Sequence, residues 1–221
     1  MSSSFRLAIS VTVLPALLVA IDSPAQPVAA NCTVQFNSPH PLVSMYLVPN
    51  GAGTPLSACR GPGGAITQAS ITVIVRDANS QPVAGLTNRD VRIAQAQPGI
   101  NWCPDTFYPP PFHGPNCADA DTDAAGVTTF TQAYHGGGIE ATGSQVWVRE
   151  ANGQFAAIPG LLPVLMNSFD NNGDGAINLS DIANFAADMG TPNYRSDFNY
   201  DGIVNLSDIV ICIAVLGVTC P

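Results

Sequence analysis

The chain of 221 residues carries a formal net charge of −9, has no lysine, and is 46% hydrophobic with only 10% charged residues. That composition excludes wholesale disorder, and the length admits one or two domains. No basic run or face is present to neutralise phosphates, which argues against nucleic acid as a partner.

At the N-terminus, Arg6 precedes an apolar run over residues 7–21, and two small-residue cleavage sites follow, Ser23-Pro-Ala25 and Val28-Ala-Ala30. This order reads as an export signal, assigned to residues 1–30. The run is shorter than the ~20 residues a spanning helix needs, and Pro15 lies inside it. A retained membrane anchor is the alternative. No second candidate span follows, so the mature chain is expected to be secreted by bacterial export and to lack a membrane span. Six cysteines, Cys32, Cys59, Cys103, Cys117, Cys212 and Cys220, suit an oxidising compartment. They allow fifteen pairings, among which sequence does not choose. Local closure favours Cys32 with Cys59, Cys103 with Cys117, and Cys212 with Cys220. A zinc site has less support, because no spacing matches a C-x₂₋₄-C pair.

Residues 31–68 are rich in turn signals, with a strand expected at 42–48. The clearest strand is 69–76, β-branched throughout, with Ile71, Val73 and Val75 on one side. A turn at 77–82 leads to a strand near 91–94. Six prolines between Pro98 and Pro115 rule out a helix or central strand there, so an excursion pinned by Cys103 and Cys117 is expected. A strand at 127–134 is broken by Gly136-Gly-Gly138. A hairpin at 145–158 then turns at Asn152-Gly153. Short strands between turn signals point to an antiparallel β-sandwich over residues 31–158. Residues 159–166 form an apolar linker expected to pack on a neighbour.

Residues 167–221 hold one pattern twice, Asp170-Asn-Asn-Gly-Asp-Gly-Ala-Ile-Asn-Leu-Ser-Asp181 and Asp197-Phe-Asn-Tyr-Asp-Gly-Ile-Val-Asn-Leu-Ser-Asp208. Oxygen side chains recur at positions one, three, five, nine and twelve, with glycine at six for the bend and a main-chain carbonyl at seven. A hard cation that takes six to eight oxygens fits this spacing, so two Ca²⁺ ions are expected. The ligands are Asp170, Asn172, Asp174, Ala176, Asn178 and Asp181, then Asp197, Asn199, Asp201, Ile203, Asn205 and Asp208; Asn178 and Asn205 can act through water. Ile177 and Val204 can pack the two loops together. Seven aspartates between Asp170 and Asp208 face one basic residue, Arg195, so this end is expected to fold poorly without metal. Asn178 and Asn205 can each cap a helix. The first carries an apolar stripe of Ile182, Phe185, Ala186 and Met189. The second is apolar all round, which calls for burial on several sides or for a docking surface.

Aspartate in place of glutamate at position twelve, the duplication, and the phrase D-x-N-x-D-G-x-(I/V)-N-x-x-D resemble the type I dockerin family of secreted modules with two EF-hand-type calcium loops. The resemblance implies a small α-helical module that docks onto a cohesin. It also implies that Leu179, Ser180, Leu206 and Ser207 contact the partner, and their identity in both copies permits two docking orientations. The family's basic residues further along the helices are absent, with Ala186-Ala187 and Ile213-Ala214 in their place, which weakens the case for an ordinary cohesin. The stretches ITVIVRDANSQPVAG and DAAGVTTFTQAYHGGG make the preceding domain similar to bacterial immunoglobulin-like or transthyretin-like domains, which serve as spacers or adhesive modules. The fold class is thus mainly β, an Ig-like sandwich followed by a dockerin-like module.

No catalytic set emerges. Glu140 and Glu150, the only glutamates, sit near strand ends as surface residues, and His40, His113 and His135 are scattered without a G-x-S-x-G element. Asp119, Asp121 and Asp123 alternate like the start of another calcium loop, but Ala124 replaces the glycine and Phe130 the closing acid, which favours an exposed acidic turn. Trp102, Phe107, Tyr108 and Phe112 could stack on a polysaccharide, against packing within their own loop. The expected function is non-enzymatic: calcium-dependent attachment to a cohesin-like partner outside the cell. The alternatives are a calcium-stabilised structural module and a carbohydrate-binding module.

Overall fold

Alternating β-branched residues build the clearest strands of the chain, seen here in a computed structural model that describes residues 25–104 and 116–221. In chain order the strands are β1 (Thr33–Asn37), β2 (Val43–Leu47), β3 (Cys59–Arg60), β4 (Ile66–Thr67), β5 (Ser70–Ile74) and β6 (Val91–Gln95). Then come β7 (Ile100–Trp102), β8 (Val127–Phe130), β9 (Gly136–Glu140), β10 (Ser144–Arg149), β11 (Phe155–Ala157) and β12 (Val164–Ser168). They form three sheets, ordered β1-β5-β8, β11-β10-β6 and β4-β3-β2-β12-β9-β7. The fold is mainly β. Ile71, Val73 and Val75 face one side as their alternation requires, and all are buried. One core draws on all three sheets, joining Ile71, Val73 and Phe130 to Ile93, Val146 and Val148 and to Met45, Val164 and Met166.

Three features depart from the sequence reading. Gly136-Gly-Gly138 does not end a strand but begins β9, paired with β7 from Trp102↔Gly136 to Ile100↔Gly138. Residues 164–166 of the expected linker belong to β12, which is buried along its whole length. It runs parallel to β2, from Val164↔Val43 to Ser168↔Leu47, so the sheets are not purely antiparallel. Its first three residues form an apolar run, as strands covered on both faces generally do, and its buried Asn167 and Ser168 side chains are hydrogen-bonded. The third departure is the disulfide. Cys103 bonds Cys220, while Cys32, Cys59 and Cys212 are free thiols. Nearness in sequence is not nearness in space. The main chain of Cys117 bridges Arg92 of β6, whereas Cys103 follows β7 of another sheet. Cys32 rests against the carbonyls of Val28 and Arg76, and Cys59 against that of Thr67. Phe107, Tyr108 and Phe112, and most of the proline-rich excursion, lie outside the described residues.

After β12 come two helices, α1 (Leu179–Asp188) and α2 (Leu206–Ile213). Each starts in a capping box: the Asn178 or Asn205 side chain accepts from the helix, and Asp181 or Asp208 accepts from the asparagine N–H. Neither these nor any other helix among the described residues is long and apolar enough to cross a membrane. Phe169, Phe185, Phe198, Ile177, Val204 and Cys212 form a second core, which also takes in Val48 and Tyr46 from the β2 region. Ile177 and Val204 bury in that core, but their main chains do not pair with each other. Ile177 exchanges hydrogen bonds with Gly217 and Val218 beyond α2, and Val204 with Gly190 and Thr191 beyond α1. Each loop is therefore stitched to the exit of the other helix.

The Cys103–Cys220 bond closes a separation of 117 residues. Constraining the unfolded chain over such a span is worth about 4–5 kcal/mol in the loop-entropy account. Cys220→Ser should lower unfolding stability by about 4 kcal/mol in a urea titration, and reduced wild type should match it. An unchanged midpoint in both would mean that this bond does not hold the chain ends together.

Candidate functional site

The two aspartate loops share one set of hydrogen bonds from main-chain N–H groups to side-chain oxygens. Asp170 accepts from the N–H groups of Asp174 and Gly175 at 3.0 and 2.8 Å, and Asp197 from those of Asp201 and Gly202 at 3.1 and 2.9 Å. Asn172 and Asn199 each accept from the N–H two residues on, at 2.9 Å. Asp174 and Asp201 accept likewise from Ala176 and Ile203, at 3.0 and 3.1 Å. Asp181 closes the first loop on the N–H groups of Asn171 and Asn178, and Asp208 closes the second on those of Phe198 and Asn205. Gly175 and Gly202 sit at φ +88° and +96°, where a side chain would strain the bend.

Asp170, Asp181, Asp197 and Asp208 are all buried, and every hydrogen bond their carboxylates accept comes from a main-chain N–H. Burial pushes the Asp170 and Asp197 carboxyls above the usual carboxylate range. The loop N–H groups oppose that shift. The neighbouring charges reinforce it, Asp181 and Asp174 acting on Asp170, and Asp208 and Asp201 on Asp197. Among the described residues no three His, Cys, Asp or Glu side chains gather as a set of charged metal ligands. Asp174 and Asp201 lie exposed, and Asp181 and Asp208 are engaged in capping. The oxygens offered by each loop are thus mixed: carboxylate, the Asn172 or Asn199 amide, and the Ala176 or Ile203 carbonyl.

The sheet forms a wall of the first loop, which the sequence did not disclose. A side chain at Gly137 would run into the Asp170 carboxylate, and the Gly138 N–H donates to the Asp170 carbonyl at 2.6 Å. Asn101 of β7 donates to the Gly173 carbonyl at 2.8 Å, and Cys220 donates its N–H to Gly175 at the same distance. The second loop is held by Asn167 of β12, whose amide donates to the carbonyls of Tyr194 and Asp197. Tyr194 also shares a hydrogen bond of 2.8 Å with Ser44 of β2. The glycine run was visible in the sequence, but its neighbour Asp170 was not.

Leu179 and Leu206 stand 78% and 71% exposed. The following serines are tied into the loops: Ser180 Oγ accepts from Asn172 at 2.9 Å, and Ser207 Oγ from Asn199 at 2.7 Å. Of the all-round apolar α2, Cys212 is buried, while Val210 and Ile213 remain 68% and 60% exposed and Leu216 is exposed beyond them. Burial on several sides is not met; an apolar stripe is left open. On α1, Phe185 is buried as expected, but Ala186 and Met189 are exposed and Asp188 is buried instead.

Asp188 organises the approach to the second loop. It accepts two hydrogen bonds from Arg195, at 2.9 and 2.8 Å, and one each from Ser196 and Asn193. Burial alone would raise its carboxyl. The hydrogen bonds from Arg195, Ser196 and Asn193, with the Arg195 charge, outweigh that and hold it below the usual range.

The other candidates serve the fold. Asp119 binds Thr129 and Thr131, Asp121 the Asn88 N–H, and Asp123 the N–H groups of Ala125 and Val127. Glu140, read as a surface residue, is buried and bonded to Gln97 and Thr142. Trp102 packs on the main core and donates from Nε1 to Gln95 at 2.9 Å. Burial pushes the Cys59 and Cys212 thiols up to about 11, leaving both protonated near neutrality.

Two predictions follow from this geometry. Gly137→Ala should cost about 2 kcal/mol of stability, since an extra carbon must displace a buried carboxylate; an unaltered urea midpoint would contradict the contact. Asp188→Asn breaks a buried ion pair and should cost about 3 kcal/mol at neutral pH. Because the folded pKa is depressed, this contribution is complete above the unfolded value near ~4. It is lost as pH falls through the folded value. The gap between wild type and variant in urea should therefore narrow below about pH 4. A gap that stays constant into acid would contradict it. No protein-family model matches the chain, and no curated protein matches it.

Proposed function

We propose that this is an exported, non-catalytic protein whose last quarter resembles a type I dockerin, takes up two Ca²⁺ ions and attaches to a cohesin-like protein outside the cell. The observation that carries the reading is the duplicated loop with its four buried aspartates, whose carboxylates are bonded only to main-chain N–H groups. Burying such charges without cationic partners is costly. A divalent cation offsets that cost, and a mixed oxygen set suits a hard ion. Asp170, Asn172, Asp174, Ala176, Asn178 and Asp181 would hold one ion, and Asp197, Asn199, Asp201, Ile203, Asn205 and Asp208 the other. The ion neutralises charge and fixes the loop; the chain does the rest. Asn172 and Asn199 each bond a serine of the exposed Leu-Ser pair, so the state of the loop reaches the surface that would meet a partner.

A second reading has its own support. The first loop is wedged between the sheet and a disulfide, and the second is tied to β12, as in a calcium-stabilised structural end with no partner. The β-rich part would then be more than a spacer, whether or not it is Ig-like in detail. Titration calorimetry on chelator-treated protein should give two Ca²⁺ per chain, and Asp170→Ala and Asp197→Ala should each remove one. No uptake by wild type would end the calcium reading. Capture of a cohesin domain that is lost with chelator, and with Leu179→Asp plus Leu206→Asp while calcium uptake persists, supports attachment. Absence of capture by calcium-loaded wild type favours the structural reading.

A further inference from the structure

Two cleavage sites compete at the N-terminus, and the fold treats them differently. Pro27 and Ala29 are buried, and Ala29 belongs to the main core at 4% exposure. The Val28 N–H donates to the Arg76 carbonyl at 2.9 Å, and the Ala29 N–H to Glu150 Oε1 at 2.9 Å. Residues Ala29–Asn31 form a 3₁₀ turn closed by Cys32 N–H on the Ala29 carbonyl, and the Cys32 thiol rests on the Val28 carbonyl. A cut after Ala30 removes all of these. It leaves the Arg76 carbonyl and the Glu150 carboxylate without those donors and uncovers the core beside Cys32. A cut after Ala25 removes none, because Ala25 and Gln26 are exposed.

Charge favours the same bond. Gln26 lines two adjoining clefts, together with Asp77 and Glu150 in one and Asp90 and Glu150 in the other. Arg149, paired with Asp90, is the basic residue there. A new α-amino group on Gln26, with an ordinary pKa near ~8, would carry its positive charge among three carboxylates. On Asn31 it would arise inside the turn.

We propose that the export signal is removed between Ala25 and Gln26, so that Gln26 leads the mature chain and residues 26–30 are part of its fold. This rests on the export reading above. The step is hydrolysis by the host signal peptidase: water adds across the Ala25–Gln26 amide, leaving a carboxylate on Ala25 and an ammonium on Gln26. Signal peptidases require a small residue just before the cut, which Ala25 and Ala30 both supply.

The test is to express the full chain with its own leader in a bacterial host, recover it outside the cytoplasm, and identify its first peptide by mass spectrometry. A chain starting at Gln26, with or without loss of ammonia from that glutamine, is the expected result. Ala30→Phe should leave that start unchanged, and Ala25→Phe should abolish it. A start at Asn31 or elsewhere overturns the proposal and leaves export standing. An uncleaved chain kept in the cell overturns both.

Discussion

Four aspartates withdrawn from water, two in each loop, set the terms for the C-terminal quarter of the molecule. Like charges buried side by side destabilise a fold unless something positive or polar answers them. Here the answer within the chain is the main chain itself: successive N–H groups of a tight loop, turned inward by glycine at position six. The same carboxylates close the helix caps, since Asp181 and Asp208 each accept from the asparagine three residues before. Loop conformation, helix start and charge burial are thus one arrangement rather than three, and a change at any of the four residues is felt in all of them.

That arrangement is not confined to the tail. Asp170 fits only because Gly137 has no side chain, and its carbonyl is held by the strand that carries that glycine. Phe169, one residue before Asp170, packs in a tilted pair against Phe198, one residue after Asp197, with ring centroids 3.9 Å apart, and meets Tyr46 of β2 at 5.1 Å. The two loops therefore share a hydrophobic root planted beside the sheet. The disulfide reaches the same place from the other side, with Cys220 against Gly175 and Cys103 just past β7. Loosening the sheet edge at β7 and β9 would loosen the first loop before the second.

What sequence disclosed and what it did not divide along a physical line. The loops, the glycines at their bends and the asparagine caps were legible because each depends on residues within about one turn of chain. The strand around Val73 was legible because its alternation and β-branching agree. Residues 164–166 were not recognised as strand, because a short apolar run suits a linker, a helix segment or a buried strand equally well. The cysteine pairing and the role of Gly136-Gly-Gly138 were illegible for a different reason. Their meaning lies in residues far along the chain, Cys220 for Cys103 and Asp170 for Gly137, and no local pattern carries that information. The exposed stripe of α2 was half legible: its apolar character could be read, but what covers each face depends on packing.

The stripe bears on how an attachment surface would work. The Leu-Ser pairs are identical in both loops and equally open, so by themselves they favour neither of two orientations. The helices that follow are not equivalent. Where α1 exposes Ala183, Ala186 and Met189, the same positions of α2 expose Val210, Ile213 and Leu216. Two positions thus trade alanine for a β-branched side chain, and each added buried methylene is worth about 0.8 kcal/mol. A partner that covers the α2 side buries more apolar surface than one that covers the α1 side. If this face docks, the duplication supplies two matching anchors while the helix faces choose between them, and the symmetry written in the loops is broken one turn later.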